Sequence, residues 1–125
     1  MIHILVADPD STTRKALIVL LQHKLKADSI MEAGDVESLI RMLVNTTPNL
    51  LVLDWRLQGA PMPETCKLLH AAYPDLKIIL LSVDSDHAIE AKQAGANFVY
   101  KGASPDEFIT VLEPFFKGLT NNGDV

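Results

Sequence analysis

Leu50-Leu51-Val52-Leu53-Asp54-Trp55-Arg56-Leu57-Gln58-Gly59 is the stretch that decides the fold. Four apolar residues in a row read as a buried strand, and the strand closes on a carboxylate at a short loop carrying charge and glycine. Packing alone does not call for that carboxylate. Three other strand-like runs also end on polar groups: Ile4 to Ala7 on Asp8, Ile78 to Leu81 on Ser82, and Phe98 to Tyr100 on Lys101. In a parallel sheet with crossover helices the carboxyl ends of the strands share one edge, so these four side chains are expected to converge there.

The chain around this stretch alternates short apolar runs with longer amphipathic segments, the pattern of an α/β fold. Ile2 to Ala7 does not alternate in polarity and reads as a strand buried on both faces. Ser11 to Leu25 repeats Leu17, Leu20, Leu21 and Leu25 at helical spacing. Ser29 to Ala33 is a second strand, and Gly34-Asp35 opens a helix with Val36, Leu39, Ile40 and Leu43 as its apolar stripe. After Asp54, Pro61 and Pro63 punctuate a loop, and a helix through Cys66 and Leu69 stops at Tyr73-Pro74-Asp75. Lys77 to Leu81 is the fourth strand. A helix over about 86–94 follows it, with Gly95 as its cap, and Asn97 to Tyr100 is the fifth strand. Ser104-Pro105-Asp106-Glu107 is a strong helix start. The last helix is expected to run to about Lys117, with Pro114 as a kink or an early fray point, and 119–125 to be a tail or the start of a linker after a domain spanning 1–118.

A length of 125 residues implies a single core, and 48% apolar content is ordinary for a globular protein. Eleven basic against sixteen acidic residues give a net charge of −5, which offers no footprint for nucleic acid or for a membrane surface. Cys66 is the only cysteine, so no intrachain disulfide is available and a reducing compartment is the simplest reading. The longest apolar run, Ala16 to Leu21, is too short to span a bilayer, and the first residues lack a basic leader. The expectation is a cytoplasmic domain. The four histidines, His3, His23, His70 and His87, are scattered without ligand spacing.

With Leu5-Val6-Ala7-Asp8, strand-end Asp54, Leu81-Ser82, Ala94-Gly95-Ala96 and Val99-Tyr100-Lys101 in this order, the chain resembles the receiver domain of two-component response regulators along nearly its whole length. The resemblance implies a doubly wound five-stranded parallel sheet of order 2-1-3-4-5, a flavodoxin-like fold. It implies that Asp54 accepts a phosphoryl group from a histidine kinase, a phosphotransfer protein or a small phosphodonor. Asp8, Asp54 and the backbone carbonyl of Arg56 would hold magnesium. Lys101 and Ser82 would bind phosphoryl oxygens, and Phe98 matches the family's aromatic switch position. Arg56 and Asp84 flank the path of water to the aspartyl phosphate, where they would tune its lifetime, and their opposite charges suggest an ion pair across the site. Such a module modifies itself and turns over no separate substrate. A homodimer and a C-terminal effector domain are further expectations of the resemblance.

Two departures from the family pattern carry consequences. Asp8 is followed by Pro9 where the family has a second acidic residue, which predicts weaker magnesium binding. Asp10 could replace the missing ligand, although aspartate there more readily caps the first helix. Gly102 follows Lys101 where many receivers carry proline. The alternative to a phosphorylated receiver is an interaction module that has lost efficient metal-dependent chemistry. A third reading takes Asp8-Pro9-Asp10-Ser11-Thr12 as the nucleophile loop of a haloacid-dehalogenase-type phosphatase, with Asp8 as nucleophile and Asp10 as general acid. It leaves Asp54 without a role and finds no acidic pair after Lys101.

Overall fold

The computed structural model describes residues 2–123, with side chains described for residues 2–118. Strands β1 (His3–Ala7), β2 (Ser29–Ala33), β3 (Leu50–Asp54), β4 (Lys77–Ser82) and β5 (Asn97–Tyr100) alternate with helices α1 (Ser11–Lys24), α2 (Val36–Asn45), α3 (Met62–Ala72), α4 (His87–Gln93) and α5 (Pro105–Gly123). The strands form one parallel sheet of order β2-β1-β3-β4-β5, as the sequence pattern predicts.

Side chains of successive strand residues point to opposite faces, so each strand feeds two cores. Leu5, Leu51, Leu53, Ile78 and Leu80 pack with α2, α3 and α4, while Ile4, Val6, Val52, Ile79 and Leu81 pack with α1 and α5. This double burial explains the unbroken apolar runs. It also explains how a carboxylate can be held at the end of β3. Each buried Leu, Ile or Val contributes about 1.5–3 kcal/mol, so the strand together outweighs the several kcal/mol that desolvating one paired ion costs.

The helix starts follow local chemistry. Asp10 caps α1 by accepting from the N–H groups of Thr12 and Thr13, and Asp35 caps α2 by accepting from Ser38 N–H. Ser104 Oγ accepts from Glu107 N–H at the start of α5. Gly95, at the end of α4, has φ of +86°, which favours glycine, and a Cβ there would lie 2.9 Å from the His70 ring. Gly59 has φ of +125° and sits against Val36, docking the loop after β3 onto the start of α2.

Three details depart from the sequence expectation. Pro63 lies inside α3 rather than in the preceding loop; in the first turn its missing N–H has no intrahelical partner to lose. Ile40 belongs to the apolar pattern of α2 but is 43% exposed, and only Leu39 and Leu43 of that helix are buried. The backbone of α5 continues to Gly123, past Lys117 and through the expected start of the tail. Pro114 does not end it, because Pro114 and Thr110, whose carbonyl loses its partner, both lie on the exposed side where water takes the bond. Residues 124–125 of the expected tail lie outside the described residues.

Cys66 is fully buried in α3 and burial pushes its thiol up to about 12, so it serves as a small apolar side chain. No helix among the described residues is long and apolar enough to cross a membrane.

Candidate functional site

The carboxyl ends of β1, β3, β4 and β5 meet at one edge, and backbone bonds fix their order. Ala7 pairs with Leu53, Asp54 with Leu81, and Ser82 with Tyr100. Beyond the ladders, Trp55 N–H donates to Leu81 O and Lys101 N–H to Ser82 O, both at 2.8 Å. Asp8, Asp54 and Ser82 are the buried polar residues that this places at the edge.

Lys101 reaches back across the edge to bridge two carboxylates. Its ammonium donates to Asp8 Oδ2 at 2.9 Å and to Asp54 Oδ2 in a shorter contact. Both aspartates are only 1% exposed. Each also accepts one backbone bond on its other oxygen: Asp8 Oδ1 from Asp10 N–H at 2.8 Å and Asp54 Oδ1 from Arg56 N–H at 2.7 Å. One ammonium faces two carboxylates, so the buried group keeps an excess negative charge. Arg56, 58% exposed, leans its guanidinium toward Asp54 Oδ1 at 3.5 Å. The Arg14 guanidinium, tied to Glu32 at 2.8 Å, donates to the Asp8 backbone carbonyl at 2.7 Å and braces the end of β1.

The residues fit a magnesium ion in donor type and charge. Asp8, Asp54 and the Arg56 carbonyl are hard oxygens, and one or two carboxylates with water and phosphate are the usual set. Among the described residues no three His, Cys, Asp or Glu side chains gather into a ligand set. Asp10 does not join the pair, since its carboxylate caps α1, and the N–H groups of Thr13 and Thr12 hold its carboxyl below the usual carboxylate range. The Arg56 carbonyl already accepts from the Gln58 side-chain amide at 3.1 Å.

Ser82 is buried at the same edge but turns to another partner. Its Oγ lies 2.7 Å from His87 Nδ1 and accepts from Asp84 N–H at 3.0 Å. The His87 ring stacks on the indole of Trp55, with centroids 3.8 Å apart and planes inclined by 8°. The expected Arg56–Asp84 ion pair does not form. Asp84 Oδ1 accepts from Asp86 N–H at 2.9 Å and Oδ2 lies 3.6 Å from His87 Nε2, while Arg56 turns to Asp54. Phe98 is half-buried on β5 and packs against the core under α4. The peptide after Lys101 places Gly102 under the Tyr100 ring, where a Cβ would lie 2.5 Å from that ring.

His87, Trp55 and Arg14 were not legible as site residues. The first two touch only in three dimensions, and Arg14 reads as an ordinary polar position of an amphipathic helix.

With this geometry in place, comparison with known proteins settles the family: the chain belongs to the response regulator receiver domains, which match residues 4–113. It is 25% identical over 121 residues to Response regulator UvrY of Escherichia coli, covering 94% of this chain and 56% of UvrY. It is 33% identical over 99 residues to the DNA-binding transcriptional activator DevR/DosR of Mycobacterium tuberculosis, covering 78% of this chain and 46% of that protein. The chain therefore spans about half the length of these curated relatives. Among solved structures, a two component transcriptional regulator AraC from Clostridium phytofermentans superposes with a TM-score of 0.81 at 25% identity, covering 99% of this chain and 98% of that one. A CheY-like receiver domain protein from Methanospirillum hungatei shares the fold with a TM-score of 0.83 at 17% identity, covering 98% of each chain.

Proposed function

We propose that this receiver switches by phosphorylation of Asp54 from a histidine kinase, a phosphotransfer protein or a small phosphodonor. One observation carries the reading: a lysine ammonium held against two buried carboxylates at the carboxyl edge of the sheet. Asp54 supplies the nucleophilic oxygen. Its bond to phosphorus forms as the bond to the donor breaks, and the donor leaves with that electron pair, so the product is an acyl phosphate. Lys101 already contacts Asp54 and moves with little displacement onto a phosphoryl oxygen. Ser82 offers its hydroxyl to another. Asp8, Asp54 and the Arg56 carbonyl would hold magnesium, which when bound neutralises charge on the phosphoryl group in transfer. Phe98 would follow the Ser82 hydroxyl and carry the change to the surface around α4 and β5. The switched surface would act on a partner or on an effector domain, a role supported by relatives that bear the matched region on part of a longer chain.

A second reading, an interaction module without efficient metal-dependent phosphorylation, is favoured by one observation. Pro9 omits a carboxylate, and Asp10 uses its own on the α1 cap instead. Incubation with acetyl phosphate and magnesium, followed by intact-mass analysis of the native chain and Asp54→Asn, separates the two. The receiver reading expects one acid-labile phosphoryl adduct on the native chain and none on Asp54→Asn. An unmodified native chain would support the interaction module.

A further inference from the structure

We propose that His87 is a latch on Ser82, holding the switch hydroxyl away from the phosphoryl position until Asp54 is modified. The inference rests on the acceptor role of Asp54 and adds a positioning residue to it.

Ser82 has one hydroxyl proton, and a bond to a phosphoryl oxygen needs it. Ser82 Oγ already accepts from Asp84 N–H, and His87 Nδ1 lies 2.7 Å away. The Asp84 carboxylate, 3.6 Å from His87 Nε2, favours the tautomer with its proton on Nε2. Nδ1 is then an acceptor, and the Ser82 proton is committed to it. A phosphoryl oxygen has to compete for that proton.

The stack on Trp55 makes the competition structural. Trp55 directly follows the acceptor, and its N–H is tied to Leu81 O at the end of β4. His87 opens α4. The ring therefore joins the acceptor loop, the switch hydroxyl and the first turn of α4 in one contact. Withdrawing the hydroxyl toward Asp54 removes the shortest polar contact of the imidazole and leaves it the Trp55 stack and the longer approach of Asp84. The stack then loosens, and α4 is released at its N-terminus. Val83 and Ile89, 61% and 69% exposed, lie on either side of His87 in sequence and would move with it.

A latch lowers apparent affinity for anything that needs the released state, in proportion to the fraction released. A hydrogen bond of ordinary net strength corresponds to about a two- to tenfold effect. The test is titration of native chain, His87→Ala and His87→Phe with beryllium trifluoride and magnesium. It is read by emission of Trp55, the only tryptophan, and paired with mass analysis of acetyl phosphate labelling. Both variants should respond at about two- to tenfold lower beryllium trifluoride than the native chain, because phenylalanine keeps a ring on Trp55 but cannot accept the Ser82 proton. In a Ser82→Ala background the His87 substitutions should have no effect on the midpoint. A role limited to holding α4 in place would survive that background, and would appear as a weaker response in His87→Ala rescued by His87→Phe. Labelling at Asp54 with one midpoint shared by all three chains overturns the latch alone. Absence of labelling in every chain overturns the acceptor reading and the latch with it.

Discussion

Asp10 donates its backbone N–H to Asp8 Oδ1 at 2.8 Å while its own carboxylate faces away, accepting from Thr12 and Thr13 at the start of α1. The residue that could have replaced the missing acidic ligand is thus engaged in capping, and only its peptide supports Asp8. Asp10→Ala is expected to leave magnesium affinity unchanged and to lower stability at neutral pH. The cap bonds depress the Asp10 carboxyl below its ordinary 3.8. A carboxyl depressed in the folded state contributes stability that is fully present above the unfolded value and is lost as pH falls through the lower, folded value. Urea denaturation of native chain and Asp10→Ala should therefore differ at pH 7 and converge in acid below 3.8. A loss of magnesium binding in Asp10→Ala would show the carboxylate acting as a ligand.

Restoring an acidic residue at position 9 should tighten magnesium binding. A unit charge pair at about 4 Å is worth roughly 1–4 kcal/mol between bulk water and a partly screened site, and 1.4 kcal/mol is tenfold in affinity. Pro9→Asp is expected to bind magnesium at least about fivefold more tightly, measured by Trp55 emission. Equal affinities would mean that the omitted carboxylate costs the site nothing.

Lys101 is the only cation donating to both Asp8 and Asp54 among the described residues. Removing one member of a buried ionic group typically costs about 3–5 kcal/mol, so Lys101→Ala is expected to lose about 3 kcal/mol in urea denaturation. Adding Asp54→Asn should recover part of that loss by removing one of two facing negative charges. A loss below about 1 kcal/mol, the range of an exposed ion pair, would mean the carboxylates are solvated rather than held by the ammonium.

Arg56 and Asp84 have separate partners, so their effects on the lifetime of an aspartyl phosphate should be independent. Arg56→Ala exposes Asp54 to water and is expected to speed dephosphorylation. Asp84→Ala acts instead through His87 and Ser82. In a double-mutant cycle on the dephosphorylation rate, the coupling between them should stay within about 0.5 kcal/mol. A larger value would mean that the two side chains do meet over the phosphoryl group.

The sheet and its edge were legible because the cause is local. Strands buried on both faces cannot alternate in polarity, so the residue where such a run breaks, Asp8, Asp54 or Ser82, stands out, while Lys101 stands out as the charge that ends the partly buried β5. Asp35 and Ser104 were legible for the same reason, since a cap is set within one helical turn. What escaped reading depends on tertiary placement. Nothing near His87 announces that Trp55 lies beneath it, and opposite charges on Arg56 and Asp84 do not reveal that each has a nearer partner. The length of α5 escaped because Gly118, where the domain is expected to end, lowers helix propensity without breaking the backbone, which carries on to Gly123.

Trapping the acyl phosphate tests the central claim most directly. After acetyl phosphate and magnesium, borohydride reduction converts a phosphorylated aspartate to homoserine, and peptide mass mapping locates the change. The account predicts homoserine at position 54 of the native chain and at no other aspartate. Homoserine at position 8 would contradict it and return the chain to the phosphatase-like reading in which Asp8 is the nucleophile.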